Sequence, residues 1–177
     1  DGSSVRNFTL NGLHNYVNDI VLLQKKTLCV RIGSRFYAFN QVTEQFSPIE
    51  MPIPDKQILG IHPVSEHKCW IIGKFNIHYC DITAEDSANH PISIRPVFSV
   101  SSDKLSSSEI TAYTLSDDFS TLYFTNTSSQ LTVFDLASRK KKVCLDIKGM
   151  TQDINTILDF NDYVWIGTTS QGIYRVN

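Results

Sequence analysis

Four short stretches of the chain repeat one signature, an apolar run that closes on Asn or Asp. They are Phe36-Tyr37-Ala38-Phe39-Asn40, Ile77-His78-Tyr79-Cys80-Asp81, Leu131-Thr132-Val133-Phe134-Asp135 and Ile173-Tyr174-Arg175-Val176-Asn177, with starts 41, 54 and 42 residues apart. A period of that length makes each repeat one supersecondary unit, whose apolar face is buried only by stacking on its neighbours. In the first three copies the closing Asn or Asp is followed within three residues by Thr43, Thr83 or Ser138. Such side chains bond the backbone of a tight turn, so each copy is expected to be a strand running into a hairpin.

Further strand-like runs surround the signature. Upstream lie 28–32, 69–72, 122–125 and 164–167, each separated from it by a short loop: Gly33-Ser34, Gly73-Lys74-Phe75, 126–129 and 168–171. Earlier still come 17–23, 58–64, 110–115 and 154–158, followed by polar turns at Lys25-Lys26, Ser65-Glu66, Asp117-Asp118 and Asn161-Asp162. A fourth run follows three of the copies, at 44–49, 93–100 and 141–147. No segment sustains helical apolar spacing over three turns. Four short antiparallel strands every 40 to 55 residues is the spacing of a β-propeller blade.

The expected fold is therefore all-β, one propeller segment of about four blades at 11–50, 57–100, 109–148 and 153–177. Residues 4–10 resemble a fourth strand with no blade before it, and the last blade lacks its own. The first defect complements the second, so 4–10 is read as a strand able to close the ring. A small closed ring, two copies joined into a larger ring, and a slice of a longer propeller all fit this pattern. The slice is favoured, self-associating in isolation or packed on the remaining blades of a parent protein. The chain begins without Met and shows no secretory leader, which also reads as a piece of something longer.

Composition narrows the function classes. Aromatics at 11% and charged residues at 19% suit a globular β protein, not a disordered one. A net charge of −2 supplies no basic face for nucleic acid or anionic lipid. The one basic run, Arg139-Lys140-Lys141-Lys142, is read as a solvated turn. The longest apolar run, 20–23, is far short of the roughly 18 residues of a membrane helix.

The carboxyl end resembles a known family. Asp153-Ile154-Asn155-Thr156-Ile157-Leu158-Asp159, then Val164-Trp165-Ile166-Gly167-Thr168, then Gln171-Gly172-Ile173-Tyr174-Arg175-Val176-Asn177 is similar to one two-component regulator propeller repeat. Near the start, Phe8-Thr9-Leu10-Asn11-Gly12-Leu13 and Tyr16-Val17-Asn18-Asp19-Ile20 resemble the linker between such repeats. Cys69-Trp70-Ile71-Ile72-Gly73 is a looser match, and Leu122-Tyr123-Phe124-Thr125-Asn126 departs furthest. The resemblance implies the periplasmic sensor region of a bacterial hybrid two-component regulator, responding to glycans or their breakdown products. A histidine kinase would then lie elsewhere in the parent.

Chemistry-bearing residues all have a plainer structural reading. Trp70 and Trp165 lie in strands and are read as inter-blade core, not sugar platforms. His67-x-Cys69 and His78-x-Cys80 share a hairpin that sets Cys69 opposite Cys80. A zinc site or a cross-strand disulfide is weighed there, but Cys80 fills a column held elsewhere by Phe39, Phe134 and Val176, so apolar packing is preferred. Cys29 and Cys144 have no evident partner. Free thiols favour a reducing compartment, whereas the resemblance favours the periplasm, and the periplasm is the expected location. The pairs Asp117-Asp118 and Asp159 with Asp162 are assigned to turns, not acid–base work. Asn7-Phe8-Thr9 and Asn126-Thr127-Ser128 match the glycosylation pattern, a match common by chance. His62 is the one histidine on a first strand, so a propeller lyase or hydrolase is disfavoured. No catalytic residue, metal or cofactor is assigned, and ligand-binding residues stay unnamed. The expected function is a non-catalytic sensory module that binds ligand through the loops joining blades. The alternative is a cytoplasmic protein-interaction scaffold of the WD40 kind, although the chain lacks the Trp-Asp dipeptide of those repeats.

Overall fold

The structure is a computed structural model that describes residues 17–24, 27–33, 35–41, 43–54, 57–84, 92–105, 108–147 and 154–177. The expectations for 4–10, the linker stretch 8–16, Asn7, Lys25-Lys26, Ser34 and Asp153 lie outside those residues. Four antiparallel sheets of β-propeller type build the fold. The first holds β1 (Val17–Leu23), β2 (Thr27–Ile32), β3 (Arg35–Asn40) and β4 (Gln45–Pro48). The second holds β5 (Ile58–Ser65), β6 (Lys68–Gly73), β7 (Ile77–Ala84) and β8 (Ile92–Val100). The third holds β9 (Ile110–Leu115), β10 (Thr121–Asn126), β11 (Gln130–Asp135) and β12 (Lys140–Asp146). The last holds β13 (Ile154–Phe160), β14 (Tyr163–Thr168) and β15 (Ile173–Val176). In every sheet the strands neighbour one another in chain order, a meander that needs only hairpin connections.

Two compact units divide these sheets: residues 1–71 with 79–98, and residues 72–78 with 99–177. In the first, Leu23, Cys29, Phe36 and Ala38 share a buried cluster with Ile58, Ile61, Cys69, Ile71, Cys80 and Ile82. In the second, Ala112 and Leu131 of the third sheet share a cluster with Ile154, Ile157 and Ile166 of the fourth. Each buried aliphatic or aromatic side chain contributes roughly 1.5–3 kcal/mol, so sheet-on-sheet burial outweighs any single polar contact. Burial follows strand position. Five of the six residues of β6 are buried, whereas all seven of β12 are exposed.

Local chemistry explains the connections. Asn161 and Asp162 have φ of 52° and 64° and join the paired residues Phe160 and Tyr163. That is the two-residue type I′ hairpin, whose positive φ at both positions favours Asn and Asp. Asn40 Oδ1 accepts from the Thr43 amide at 3.1 Å, and Asp135 Oδ1 accepts from the Ser138 amide at 2.7 Å, as the signature requires. The second copy differs: β7 continues through Asp81 to Ala84, so Asp81 and Thr83 are strand residues and close no turn. Asp81 instead pairs with Lys68, across the hairpin. The basic run is also corrected. Only Arg139, at φ 58°, is in the turn, while Lys140–Lys142 open β12 and Lys142 Nζ lies 2.7 Å from Asp135. The 54-residue interval holds the eight-residue β7, the nine-residue β8 and one unforeseen helical turn, α1 (Ser102–Leu105).

Candidate functional site

In the first unit, a cleft of about 750 Å³ lies under the strap that leads from the first sheet to the second. Pro48, Pro52 and Pro54 line it. They remove backbone donors and disfavour helix at the preceding residues, which keeps the strap extended. Ile49 and Ile53 anchor the strap in the core, and the Ile49 amide donates to the Phe36 carbonyl at 2.9 Å. Arg35 and Glu50, both exposed, place one charge of each sign beside the cleft.

A narrower trough of about 410 Å³ lies within the second unit. Leu131, Val133, Val143 and Leu145 of the third sheet form one apolar wall, and Val164 and Val176 of the fourth form the other. Tyr123, Asp159, Asp162 and Asn177 supply its polar groups. Asp159 is therefore not a turn residue: it stands in β13, and it lines the trough together with Tyr123. Burial, then the Asp159 charge, raises the Tyr123 phenol above its ordinary range. Asp162 does lie in a turn, as expected. An apolar trough edged by carboxylates can pack the C–H face of a small polyol and accept hydrogen bonds from its hydroxyls. The sequence contains both halves of this trough, but strand spacing alone could not bring Tyr123 to Asp159 across two sheets.

The other chemistry-bearing residues are dispersed. Hydrogen bonds from the Gly73 amide to the Asn76 carbonyl and from the Ile82 amide to the His67 carbonyl set the β6–β7 register, and that register places Cys69 opposite Cys80. The neighbouring Cys80 thiol and burial together raise the Cys69 thiol. His67 is exposed in a turn, whereas His78 is buried with Nδ1 2.6 Å from Ser99 Oγ. Among the described residues no three His, Cys, Asp or Glu side chains are grouped to hold a metal ion. Cys29, Cys69 and Cys80 are buried free thiols, and Cys144 is an exposed one. Asp118 accepts from Ser116 Oγ at 2.6 Å and from the Ser120 amide at 2.9 Å, a turn role that holds its carboxyl near 2. His62 lies in β5, where burial lowers its basicity.

The tryptophans differ from each other. Trp70 is 5% exposed, packed with Tyr79 and Phe98 at centroid distances of 4.7 and 5.6 Å. Trp165 departs from the core reading: it is half-buried, and its indole donates to the Phe160 carbonyl at 3.3 Å.

No protein-family model matches the chain, and no curated protein matches it. Solved structures do. The β-propeller domain of Myceliophteria thermophila Cps50 (Swd1) superposes with a TM-score of 0.64 at 11% identity, over 91% of this chain and 50% of that one. The WD40 domain of Neurospora crassa Pan2 superposes with a TM-score of 0.58 at 12% identity, over 92% of this chain and 47% of that one. The chain thus spans about half the length of these structures, and the likeness establishes the propeller fold.

Proposed function

We propose that the chain is a non-catalytic recognition segment in the periplasmic sensor of a two-component signalling receptor, where it binds a glycan or a glycan breakdown product. The observation that supports this most is the setting of the last repeat. Trp165-Ile166-Gly167-Thr168 lies in β14, and Gly172 turns the chain into Ile173-Tyr174-Arg175 of β15, one hairpin as in the repeat this stretch resembles. The trough of the second unit suits a sugar, with Asp159 and Asp162 as acceptors and valine and leucine side chains for the ring face. Isothermal calorimetry of the chain against neutral, acidic and amino oligosaccharides tests the proposal. It predicts binding by at least one class, weakened roughly tenfold by Asp162→Asn, which keeps the turn but removes a charged acceptor. Silence across the panel would overturn it.

A protein-interaction scaffold is the second reading, favoured by the likeness to the WD40 domain of Pan2 and by four free cysteines. It predicts no sugar binding and residence in a reducing compartment.

A further inference from the structure

Within the second unit, one sheet provides a control for the next. Cα pairing aligns Ala112, Thr125 and Leu131 of the third sheet with Thr156, Gly167 and Ile173 of the fourth. In the third sheet this face is covered: Leu131 is 1% exposed and clusters with Ile154, Ile157 and Ile166. In the fourth the same face is open. Ile173 is 75% exposed, Phe160 56% and Leu158 54%, beside the half-buried Trp165. The covering surface in the covered case is the opposite face of a sheet, with Ile157 paired to Ile166 in one row. What fits the open face is therefore another blade presenting that row.

The first sheet carries such a row, also uncovered on its first strand. Ile20 pairs with Val30, which pairs with Tyr37, matching the row Ile157–Ile166–Tyr174. Ile157 is 4% exposed, but Ile20 is 64%. Likewise Ile154 is 7% exposed and its counterpart Val17 is 55%. Leu22, on the same side of β1 as Ile20, is 53% exposed. Farther from β1, Val30, Ile32 and Tyr37 form a small buried cluster backed by Phe46. Among the described residues, the chain thus presents a donor face and an acceptor face for a single kind of contact.

We infer that a second copy of this chain docks head to tail, the Leu158–Phe160–Ile173 face of one copy on the Val17–Ile20–Leu22 face of the other, as the fourth sheet docks on the third. A heterologous contact either closes or grows. Closure at two copies is inferred because the two similar propeller structures hold about twice this chain's length. The inference is independent of the sugar proposal.

Sedimentation equilibrium tests it directly. The expected mass is about 40 kDa, twice the 20.0 kDa of one chain. Ile173→Glu and Ile20→Glu are each expected to weaken association roughly tenfold or more, with the circular dichroism and melting profile of the parent retained. Mixing those two variants should restore a dimer through the one undamaged contact, Leu158–Phe160 of the Ile20 variant on Val17–Leu22 of the Ile173 variant. Leu158→Lys and Leu22→Lys repeat the design should either glutamate variant fail to fold. A 20.0 kDa species throughout, growth beyond a dimer, or mixed variants that stay apart would each overturn the inference.

Discussion

The four thiols show how much context decides a single residue's chemistry. Cys144 is exposed on β12, whereas Cys29, Cys69 and Cys80 sit in the core of the first unit. Burial raises Cys29 to about 12, so almost none of it is thiolate at neutral pH. An aromatic disulfide reagent on the folded protein should therefore modify one thiol quickly and the other three only on unfolding. Rapid loss of two or more would contradict the packing. The turn aspartates make a pH prediction. Hydrogen bonds from Ser116 and Ser120 hold Asp118 near 2, and the Lys142 and Ser138 bonds hold Asp135 below its usual range. Folded pKa values below the unfolded ones mean that the unfolded chain binds more protons as pH falls. The stabilisation is present above pH about 4 and is lost on acidification toward about 2. Melting curves at stepped pH should show that loss, and Asp118→Asn together with Asp135→Asn should flatten it.

At the scale of elements, hairpin chemistry carries the strand order. Gly172 has φ of 84°, and a Cβ there would meet nothing within 4 Å, so backbone strain alone is at stake. Gly172→Ala should lower stability by about 1–2 kcal/mol, read as a shift in the urea midpoint at unchanged slope. Gly167 is the opposite case. Its Cβ would lie 2.7 Å from Thr156 Cγ2, so Gly167→Ala tests packing across the β13–β14 pair instead. Strand identity was legible because period-two runs end at Asn, Asp and Gly. The Asn161-Asp162 turn and the Asn40 and Asp135 caps show this directly. Where the rule failed, a cross-strand partner intervened: Asp81 found Lys68 and stayed within β7. The trough was less legible, since Tyr123 and Asp159 are distant in sequence and meet only when two sheets pack. Trp165 departs from its core expectation for a related reason: whether a strand face is core depends on a neighbouring blade, which the residue's own context does not report.

For the whole molecule, everything turns on repeats that stack as blades, and the proposed recognition surfaces exist only if they do. The second unit shows that stacking in its simplest form, with the fourth sheet seated on the third. Selective methyl labelling of Ile, Leu, Val and Ala, followed by nuclear Overhauser spectroscopy, measures it most directly. Cross-peaks from Leu131 and Ala112 to Ile157 and Ile166 are predicted, with Ile173 methyls giving no contact to those four. Contacts confined to strands of a single sheet, with none between Leu131 and Ile157, would contradict the blade architecture on which the functional proposal rests.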